Sequence, residues 1–214
     1  QDGCSNFCTY CKVALVRGRQ RSKNLKQVLK EAKGLVACGY KEAVLTGICL
    51  GAYGRDLCPK KDLADVILCL EKIEGLSRIR LSSIEAGDVS SKLIKRLRNS
   101  KKLCRHLHIP IQSGDDRILK RMNRKYTTQK YRELITGIKR DIPGVSITTD
   151  CLVGFPGETE ENFENTVDLV KMIMPLKAHI FPYSSRPGTK AANFSGAVDP
   201  GLISARCKRL ESVV

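Results

Sequence analysis

Apolar residues recur along this chain with the spacing of helices in some segments and with the spacing of strands in others. In the first helical segment they follow the i, i+3, i+4, i+7 rule that buries one face, at Leu25, Val28, Leu29, Ala32, Leu35 and Val36. Gly39 ends that segment, because glycine commonly follows the last helical turn. Residues 78–83 (RIRLSS) instead alternate apolar and polar side chains, which predicts a strand with one buried face.

The two patterns alternate along the rest of the sequence. The predicted helices cover residues 25–36, 63–70, 89–97, 115–122, 127–142, 159–174 and 202–213. The predicted strands cover residues 43–47, 78–83, 106–111, 146–153 and 178–181, and a further strand would end at Gln1. Strands that alternate with helices are typical of βαβ units, so the sequence predicts an α/β fold with a parallel sheet.

Polar residues concentrate where the predicted strands end. They are Thr46 and Gly47, Ser82, Ser83 and Glu85, Gln112, Ser113 and Gly114, Asp150, and Tyr183, Ser184 and Ser185. In parallel α/β folds the binding and catalytic side chains lie at the carboxyl ends of the strands. We therefore expect this edge to carry the functional site, while each residue taken singly has the alternative of an ordinary strand-end polar group.

Composition narrows the class of protein. Apolar residues make up 42% of the 214 residues and charged residues 28%, which is typical of a globular domain and argues against wholesale disorder. No run of about 18 apolar residues is present, so we expect no membrane span. The chain opens on Gln1 with no signal peptide, and we interpret it as a piece of a longer protein or a processed product.

Basic residues outnumber acidic ones by a wide margin. Lys and Arg total 38, Asp and Glu total 22, and the formal net charge is +16. An excess of this size favours a polyanionic partner, with nucleic acid first and an anionic membrane surface second. The densest basic run, residues 17–26, has two interpretations: a contact to RNA phosphates or a solvated face.

Ten cysteines raise the question of a secreted disulfide scaffold. The chain is longer than the small domains that depend on disulfides, so we expect a reducing cytosol in which most of the thiols act as small buried apolar groups. Cys4, Cys8 and Cys11 differ from the rest because they lie close together and can converge on one metal centre.

Three neighbouring thiolates leave several interpretations open. A structural zinc site needs four ligands, and the fourth would be a distant His106 or His108. A [4Fe–4S] cluster also usually has four cysteine ligands, so three would leave one iron open to a substrate or cofactor. A redox pair of Cys8 and Cys11 is a further alternative, without the surroundings of a thioredoxin.

The loop CSNFCTYC at residues 4–11 resembles the signature of the radical S-adenosylmethionine (SAM) enzymes, in which three cysteines hold a [4Fe–4S] cluster. Further strings are similar to the methylthiotransferases of that superfamily: VRGRQRS at 16–22, LTGICLGAYGRD at 45–56, RIRLSSIE at 78–85, HLHIPIQSGDDRILKRMNRKYT at 106–127, DCLVGFPGETEENF at 150–163 and FPYSSRPGTKAA at 181–192. The string at 45–56 most resembles the branch that modifies N6-threonylcarbamoyladenosine next to the tRNA anticodon.

This resemblance implies one radical SAM core domain over residues 1–214, folded as a partial (β/α)6 barrel of the TIM type that is open on one side. It implies that Cys4, Cys8 and Cys11 hold the catalytic cluster, at which SAM is reductively cleaved to a 5′-deoxyadenosyl radical. It also implies cofactor-binding roles for Tyr10, Thr46, Gly47, Glu85, Gln112, Arg124 and Asp150. Among these, Arg124 offers a planar fork to the SAM carboxylate.

The sequence also departs from the pattern of this family. A preceding domain with a second [4Fe–4S] cluster and a following RNA-binding β-barrel are usual there, and neither is present in these residues, which also lack most of the first strand. Residues 12–15 (KVAL) replace a more apolar, proline-containing stretch. We therefore expect that this segment alone does not complete methylthiolation.

The expected partners are tRNA and an external one-electron reductant, and the expected location is the cytoplasm. Two other functions stay open at this point. One is methylthiolation of another tRNA adenosine or of a ribosomal protein. The other is a zinc-stabilised RNA-binding module without catalysis, for which the zinc interpretation of the cysteines would be required.

Overall fold

The computed structural model describes residues 1–214 and has the alternation of strands and helices that the sequence predicts. The strands are β1 (Glu42–Leu45), β2 (Arg78–Leu81), β3 (His106–His108), β4 (Ser146–Val153) and β5 (Lys177–Pro182). The helices are α1 (Val13–Val16), α2 (Leu25–Ala37), α3 (Leu63–Glu71), α4 (Ser91–Asn99), α5 (Asp116–Arg121), α6 (Thr128–Asp141), α7 (Glu160–Ile173) and α8 (Pro200–Glu211). None of these helices combines the length and the apolar content that crossing a membrane requires.

All strand pairs are parallel and form one series. β1 pairs with β2, and β4 lies between β3 and β5. The two sheets adjoin at β2, where Ile79 bridges in parallel to Leu103 and the Ile84 amide donates to the His108 carbonyl at 2.9 Å. Parallel strands joined by helices in sequential order confirm the α/β, partial-barrel fold class. The strand expected to end at Gln1 lies outside the described residues, and the Gln1 carbonyl accepts from the Ile48 amide at 3.2 Å.

One face of the sheet packs against the helices and the other lines the inside of the barrel. Burial alternates with period two along β4, where Ile147, Thr149, Cys151 and Val153 are buried. The side chains between them, such as Thr148 and Asp150, point to the opposite face. The apolar face belongs to a continuous core of 35 buried residues, whereas the inner face is partly open.

Several predicted boundaries shift for identifiable reasons. The strand expected over 106–111 ends at His108, because Pro110 has no amide hydrogen and Gln112 has a φ of 66°. The Tyr126 hydroxyl donates to the Ile111 carbonyl at 2.8 Å, so a side chain supplies the hydrogen bond that a strand would have made. The helix expected over 89–97 begins at Ser91, since the Ser90 side chain accepts from Leu93 N and caps it.

Short elements escape the periodicity argument. Besides α1, the structure has 3-10 turns at Leu50–Ala52, Ala86–Asp88 and Lys190–Asn193. Each contains only three or four residues, which is too short for a repeat of apolar positions to be visible. Two of these turns are the next elements after β1 and β2, so they shape the edge at which the candidate site residues lie.

Candidate functional site

The cysteine loop, residues 4–11, is held in place by segments that are distant in the sequence. The Thr9 amide donates to the Met122 carbonyl at 3.1 Å, and the Thr9 carbonyl accepts from Ala191 at 2.9 Å. Asn123 Nδ2 donates to the Asn6 carbonyl at 3.1 Å. These contacts fix the backbone of the loop from both α5 and the turn at Lys190–Asn193.

Gly3 opens the loop at a position that only glycine can occupy. Its φ is +70°, and a Cβ added there would lie 2.1 Å from the Arg19 carbonyl oxygen. The next residue, Cys4, donates its amide to the Gly18 carbonyl at 3.2 Å. The close approach of residues 3–4 to residues 18–19 therefore explains the glycine before the first cysteine.

Each cysteine of the loop has a hydrogen-bond donor directed at its sulfur. The donors are Asn6 N to Cys4 Sγ at 3.4 Å, Arg124 Nη1 to Cys8 Sγ at 3.5 Å, and Val13 N to Cys11 Sγ at 3.4 Å. Donors of this kind stabilise the thiolate, which is the form that binds a metal. The structure therefore brings the three predicted ligands into surroundings suited to metal binding.

A fourth thiol, Cys49, lies beside Cys4 and was missed by the sequence argument. It is buried after β1, where Asn6 Nδ2 approaches its Sγ at 3.6 Å and Asp88 Oδ2 at 3.5 Å. A hydrogen bond with Cys49 lowers the pKa of Cys4 to about 6, although partial burial opposes that change. The same bond and burial raise the pKa of Cys49. No sequence spacing relates residues 4 and 49, so only the fold reveals this pair.

Arg124 and Glu85 form a buried ion pair next to the cysteine loop. Arg124 Nη2 donates to Glu85 Oε1, and the two side chains are 5% and 19% exposed. Arg124 also reaches the Tyr10 hydroxyl at 3.3 Å and packs over the Tyr126 ring at 5.3 Å. Burial raises the pKa of Glu85, although Arg124 opposes that change.

A cavity of about 250 Å³ opens beside this pair. Its lining includes Cys8, Glu85, Asn123 and Arg124. The predicted cluster ligand and two predicted cofactor-binding residues thus face one space, with a cation, a carboxyl group and a thiol available to a ligand. An amino acid moiety, which carries one ammonium and one carboxylate group, matches that set of charges.

Tyr10 connects this cavity to a second apolar cluster. Its ring meets Phe155 edge-on with a centroid separation of 6.3 Å, and burial raises the pKa of its hydroxyl. The cluster contains Ile118, Met122, Phe155 and Ala191, with Tyr10, Leu152, Tyr183 and Phe194 packed against it. Tyr10 therefore has both a packing role and a hydrogen bond to Arg124, and its predicted role in cofactor binding stays a prediction.

Gln112 and Asp150 are neighbours across adjoining segments. The Gln112 amide donates to the Asp150 carbonyl at 2.8 Å, and the Gln112 carbonyl accepts from Leu152 at 2.8 Å. Gln112 lies one residue after Ile111, whose carbonyl accepts from Tyr126, so this segment adjoins the surroundings of Arg124. Their predicted contacts to a cofactor stay predictions.

Thr46 and Gly47 do not line the cavity beside the ion pair. Thr46 is exposed, and a Cβ added to Gly47 would lie 3.0 Å from Gln1 Cβ. Neither residue shares a hydrogen bond with Arg124 or Glu85. Their predicted role toward the amino group of a cofactor stays a prediction.

The inner face of the barrel gathers the three histidines of the chain, His106, His108 and His179. His108 Nε2 and His179 Nδ1 lie 3.1 Å and 3.3 Å from the two carboxylate oxygens of Asp150. Thr148 Oγ1 lies 3.0 Å from His106 Nε2 and 2.8 Å from His108 Nδ1. Because His106 and His108 are engaged by Thr148 inside the barrel, the zinc interpretation of the cysteines loses its expected fourth ligand.

The donor set of the loop fits a [4Fe–4S] cluster. Three thiols lie on one rigid loop, each with an N–H group aimed at its sulfur, and a cavity with a cation and a carboxyl group adjoins the second thiol. Soft thiolate ligands of this kind suit iron–sulfur clusters and zinc. The open side and the missing histidine favour the cluster.

Comparison with known proteins identifies the class. The model of the radical SAM superfamily matches residues 1–170, so the chain belongs to the radical SAM superfamily. Membership of this superfamily implies a [4Fe–4S] cluster and SAM as cofactors. In fold, the chain is similar to the radical SAM methyltransferase TsrM from Kitasatospora setae, with a TM-score of 0.73 and 17% identity, covering 89% of this chain and 37% of that one. It is also similar to coproporphyrinogen III oxidase (HemN) from Escherichia coli, with a TM-score of 0.70 and 14% identity over 98% and 49% of the two chains.

Curated relatives narrow the resemblance within that class. The chain is 45% identical over 212 residues to tRNA-2-methylthio-N(6)-dimethylallyladenosine synthase of Clostridium tetani, covering 99% of this chain and 47% of the relative. It is 46% identical over 213 residues to threonylcarbamoyladenosine tRNA methylthiotransferase MtaB of Bacillus subtilis, covering 98% and 47%. The resemblance to radical SAM methylthiotransferases is thereby confirmed. The chain spans about half the length of these relatives.

Proposed function

We propose that this chain is the radical SAM core of a tRNA methylthiotransferase that acts on N6-threonylcarbamoyladenosine. The observation that carries the proposal is the meeting of the cysteine loop with the Arg124–Glu85 pair at one cavity. As the chain matches about half of each relative, the complete reaction is proposed to need a preceding domain with a second [4Fe–4S] cluster and a following RNA-binding β-barrel.

Cys4, Cys8 and Cys11 are proposed to hold the cluster. When bound, the cluster would supply the one electron that the reductive cleavage of SAM requires, and SAM would supply the 5′-deoxyadenosyl group that removes hydrogen from the substrate. The protein's own part is binding and orientation. Arg124 lies against Cys8 Sγ and is proposed to bind the SAM carboxylate, and Glu85 to bind the SAM amino group.

The remaining predicted residues complete the proposed cofactor site. Gln112 and Asp150 are proposed to bind ribose hydroxyls, Thr46 and Gly47 to offer backbone carbonyls to the amine, and Tyr10 to shield the site from water. Support for Tyr10 comes from its position between Arg124 and Phe155, where its ring closes the apolar side of the cavity. Exclusion of water protects a reactive intermediate from side reactions.

The proposed substrate rests on the inner face of the barrel. Both kinds of tRNA methylthiotransferase are represented among the relatives at nearly equal identity, so identity does not discriminate between them. Hydrogen-bonding side chains dominate the inner face, including Arg80, which bonds Glu42 at 3.1 Å, and the histidines around Asp150. A threonylcarbamoyl group, with its amide, hydroxyl and carboxylate, suits that surface better than a dimethylallyl group.

The proposed partners follow from charge. The basic run at 17–26 is exposed, and of its cations Arg17, Arg19 and Lys26 have no ion-pair partner, whereas Arg21 and Lys23 bond Asp2 and Glu31. Unpaired cations near the cysteine loop support a contact to tRNA phosphates. An external one-electron reductant and a cytoplasmic location complete the proposal.

The test is anaerobic reconstitution with iron and sulfide, followed by dithionite and SAM. We expect 5′-deoxyadenosine from the wild-type chain and none from a Cys8→Ala variant, with Cys58→Ala as the matched control because Cys58 is exposed and outside the loop. A chain that binds a full cluster and SAM yet forms no 5′-deoxyadenosine would contradict the proposal. Tight zinc binding without acid-labile sulfide would instead support the RNA-binding module.

A further inference from the structure

A continuous series of close polar contacts, hydrogen bonds at Thr148 and imidazole–carboxylate contacts at Asp150, crosses the inner face of the barrel from β3 to β5. It runs from His106 through Thr148 to His108, and from His108 through Asp150 to His179, with every step between 2.8 and 3.3 Å. The rings of His108 and His179 stack with centroids 5.6 Å apart. Asp150 thus holds both imidazoles, one with each carboxylate oxygen.

The chemistry of these groups indicates which ring nitrogens carry hydrogen. An ionised carboxylate attracts N–H groups and repels ring lone pairs, so we expect His108 Nε2 and His179 Nδ1, which lie 3.1 Å and 3.3 Å from its oxygens, to be the protonated nitrogens. In a neutral ring His108 Nδ1 then accepts from the Thr148 hydroxyl, whose oxygen accepts from His106 Nε2. His179 Nε2 is left as an acceptor without a protein partner.

Within this series of contacts, His179 is the residue that is open to the interior of the barrel. Its side chain is 44% exposed, against 15% for His108 and 21% for Asp150. Phe181, the next inner-face residue on β5, is also exposed and meets the His179 ring edge-on at 6.4 Å. A flat ring and a hydrogen-bond acceptor are thus offered side by side to the interior.

The position of His179 relative to the cysteine loop suits a substrate contact. Leu152, the inner-face residue after Asp150 on β4, packs against the same apolar cluster as Tyr10 of the cysteine loop. His179 therefore lies one inner-face layer, about 7 Å along the strand, from a layer that shares this cluster with the cysteine loop. A base that reacts beside the loop has its substituent within reach of this nitrogen.

We propose that His179 determines specificity for the substituent on the substrate base, because its Nε2 accepts a hydrogen bond from an N–H or O–H of a polar group there. Asp150 and His108 act as positioning residues that fix its tautomer and ring orientation, and each Asp150 oxygen keeps a second lone pair for the ribose hydroxyl proposed above. The inference rests on the proposed function and assigns to one residue the choice of a threonylcarbamoyl over a dimethylallyl group. An apolar substituent leaves the nitrogen unpaired, which disfavours binding.

The experiment measures binding of anticodon stem-loop RNAs that carry threonylcarbamoyladenosine, dimethylallyladenosine or plain adenosine. We expect the wild-type chain to prefer the first RNA, and His179→Phe to reduce that preference about 10-fold, which corresponds to the loss of one well-made hydrogen bond. His179→Gln should restore part of the preference, since an amide oxygen also accepts. His106→Asn is the matched control, because His106 lies at the opposite end of the series of contacts, and it should leave the preference unchanged.

Three results would overturn the inference. In the first, the wild-type chain prefers the threonylcarbamoyladenosine RNA, but His179→Phe keeps that preference or His106→Asn loses as much of it. The inference is then wrong, while the proposed function is unaffected. In the second, the wild-type chain binds the three RNAs with equal affinity, and the proposed choice of threonylcarbamoyladenosine fails together with the inference. In the third, equilibrium dialysis finds one equivalent of zinc that His179→Phe and Asp150→Asn both abolish. His108, Asp150 and His179 would then be metal ligands, with ligand atoms within 4.8 Å of one another.

Discussion

Two buried arginine–carboxylate pairs lie in different parts of the barrel, and they serve different ends. Arg206 on α8 bonds Glu158 at 3.0 Å, with side chains that are 4% and 2% exposed. Arg124 bonds Glu85, with side chains that are 5% and 19% exposed. The two pairs have the same chemistry and equally buried arginines, but the Glu85 carboxyl group is more exposed than that of Glu158.

The partners around each pair separate them. Arg206 is saturated by protein groups, since it also bonds Glu160 at 2.9 Å and the Glu158 carbonyl at 3.3 Å, and packs over Phe163. The Glu158 carboxylate in turn accepts from the Gly154 amide at 2.9 Å. Arg124 and Glu85 instead line a cavity beside Cys8. A closed pair braces the fold, whereas a pair that opens on a cavity can exchange a partner for a ligand.

The largest effect is expected from breaking the closed pair. Arg206→Met leaves the Glu158 carboxylate buried without a counter-charge, and we expect a loss of about 3–5 kcal/mol in the free energy of unfolding, measured in urea. Burial already raises the pKa of Glu158, so the folded variant binds a proton that the unfolded chain lacks. The loss should therefore be smaller at mildly acidic than at neutral pH. The double variant Arg206→Met/Glu158→Gln should recover part of it, and an equal loss at both pH values would contradict the account.

Removing Arg124 from the pair that opens on the cavity should lower activity strongly and stability only slightly, the opposite of the expectation for Arg206→Met. Arg124→Met removes a charge-assisted contact to the proposed SAM carboxylate, and we expect 5′-deoxyadenosine formation to fall about 100-fold. Its unfolding free energy should change less than that of Arg206→Met, because the Glu85 side chain is 19% exposed and stays partly hydrated, whereas the Glu158 side chain is 2% exposed. If the two variants lose equal stability, the distinction between closed and open pairs is wrong.

The pKa of Cys4 tests whether the region around the open pair stabilises a thiolate. We expect alkylation of Cys4 by iodoacetamide in the cluster-free chain to fall as pH drops through about 6, the pKa set by its bond with Cys49. Cys49→Ala should move this midpoint upward. Mass spectrometry can follow Cys4 with exposed Cys58 as the internal reference. Equal pH profiles for the two thiols would contradict the expectation.

The smallest effect tests whether the region near Arg206 is sensitive to any change. Thr159 caps α7 through a capping box with Asn162, next to Glu158. Thr159→Ala should cost about 1 kcal/mol in unfolding free energy, the usual value for a lost cap. Ser90→Ala, the same kind of cap on α4, should cost a similar amount. If Thr159→Ala lowers the unfolding free energy as much as Arg206→Met does, the Arg206–Glu158 pair does not stabilise the fold more than an ordinary helix cap.

Local sequence patterns were sufficient to predict the fold, whereas the features that the sequence did not predict depend on contacts between distant residues. Period-two burial on β4 and the helical stripe on α2 follow from burying one face of each element, so the alternation of strands and helices could be predicted. The short end of β3 depends on Pro110 and on a hydroxyl from Tyr126, and only the first of these is local. The cysteine loop was visible because its three thiols are adjacent in sequence.

Other parts of the site depend on residues that only the fold brings together. Cys49 meets Cys4 across α2 and β1, and His179 meets His108 through Asp150 on three separate strands. Neither arrangement has a fixed spacing along the chain, because loop and helix lengths between strands carry no chemical signal. Arg124 could be placed near the cysteines only through the family resemblance.

The anchoring of the cysteine loop has a consequence for biosynthesis. The Thr9 hydroxyl bonds the carbonyl of Arg121, which lies 112 residues later, and the Thr9 carbonyl bonds Ala191 near the last helix. A ribosome releases the three thiols long before it has made the segments that shape their loop. Contacts between such distant residues form late in folding. During synthesis the three thiols are therefore exposed on a chain in which their loop has not yet folded. We expect insertion of an iron–sulfur cluster to follow translation.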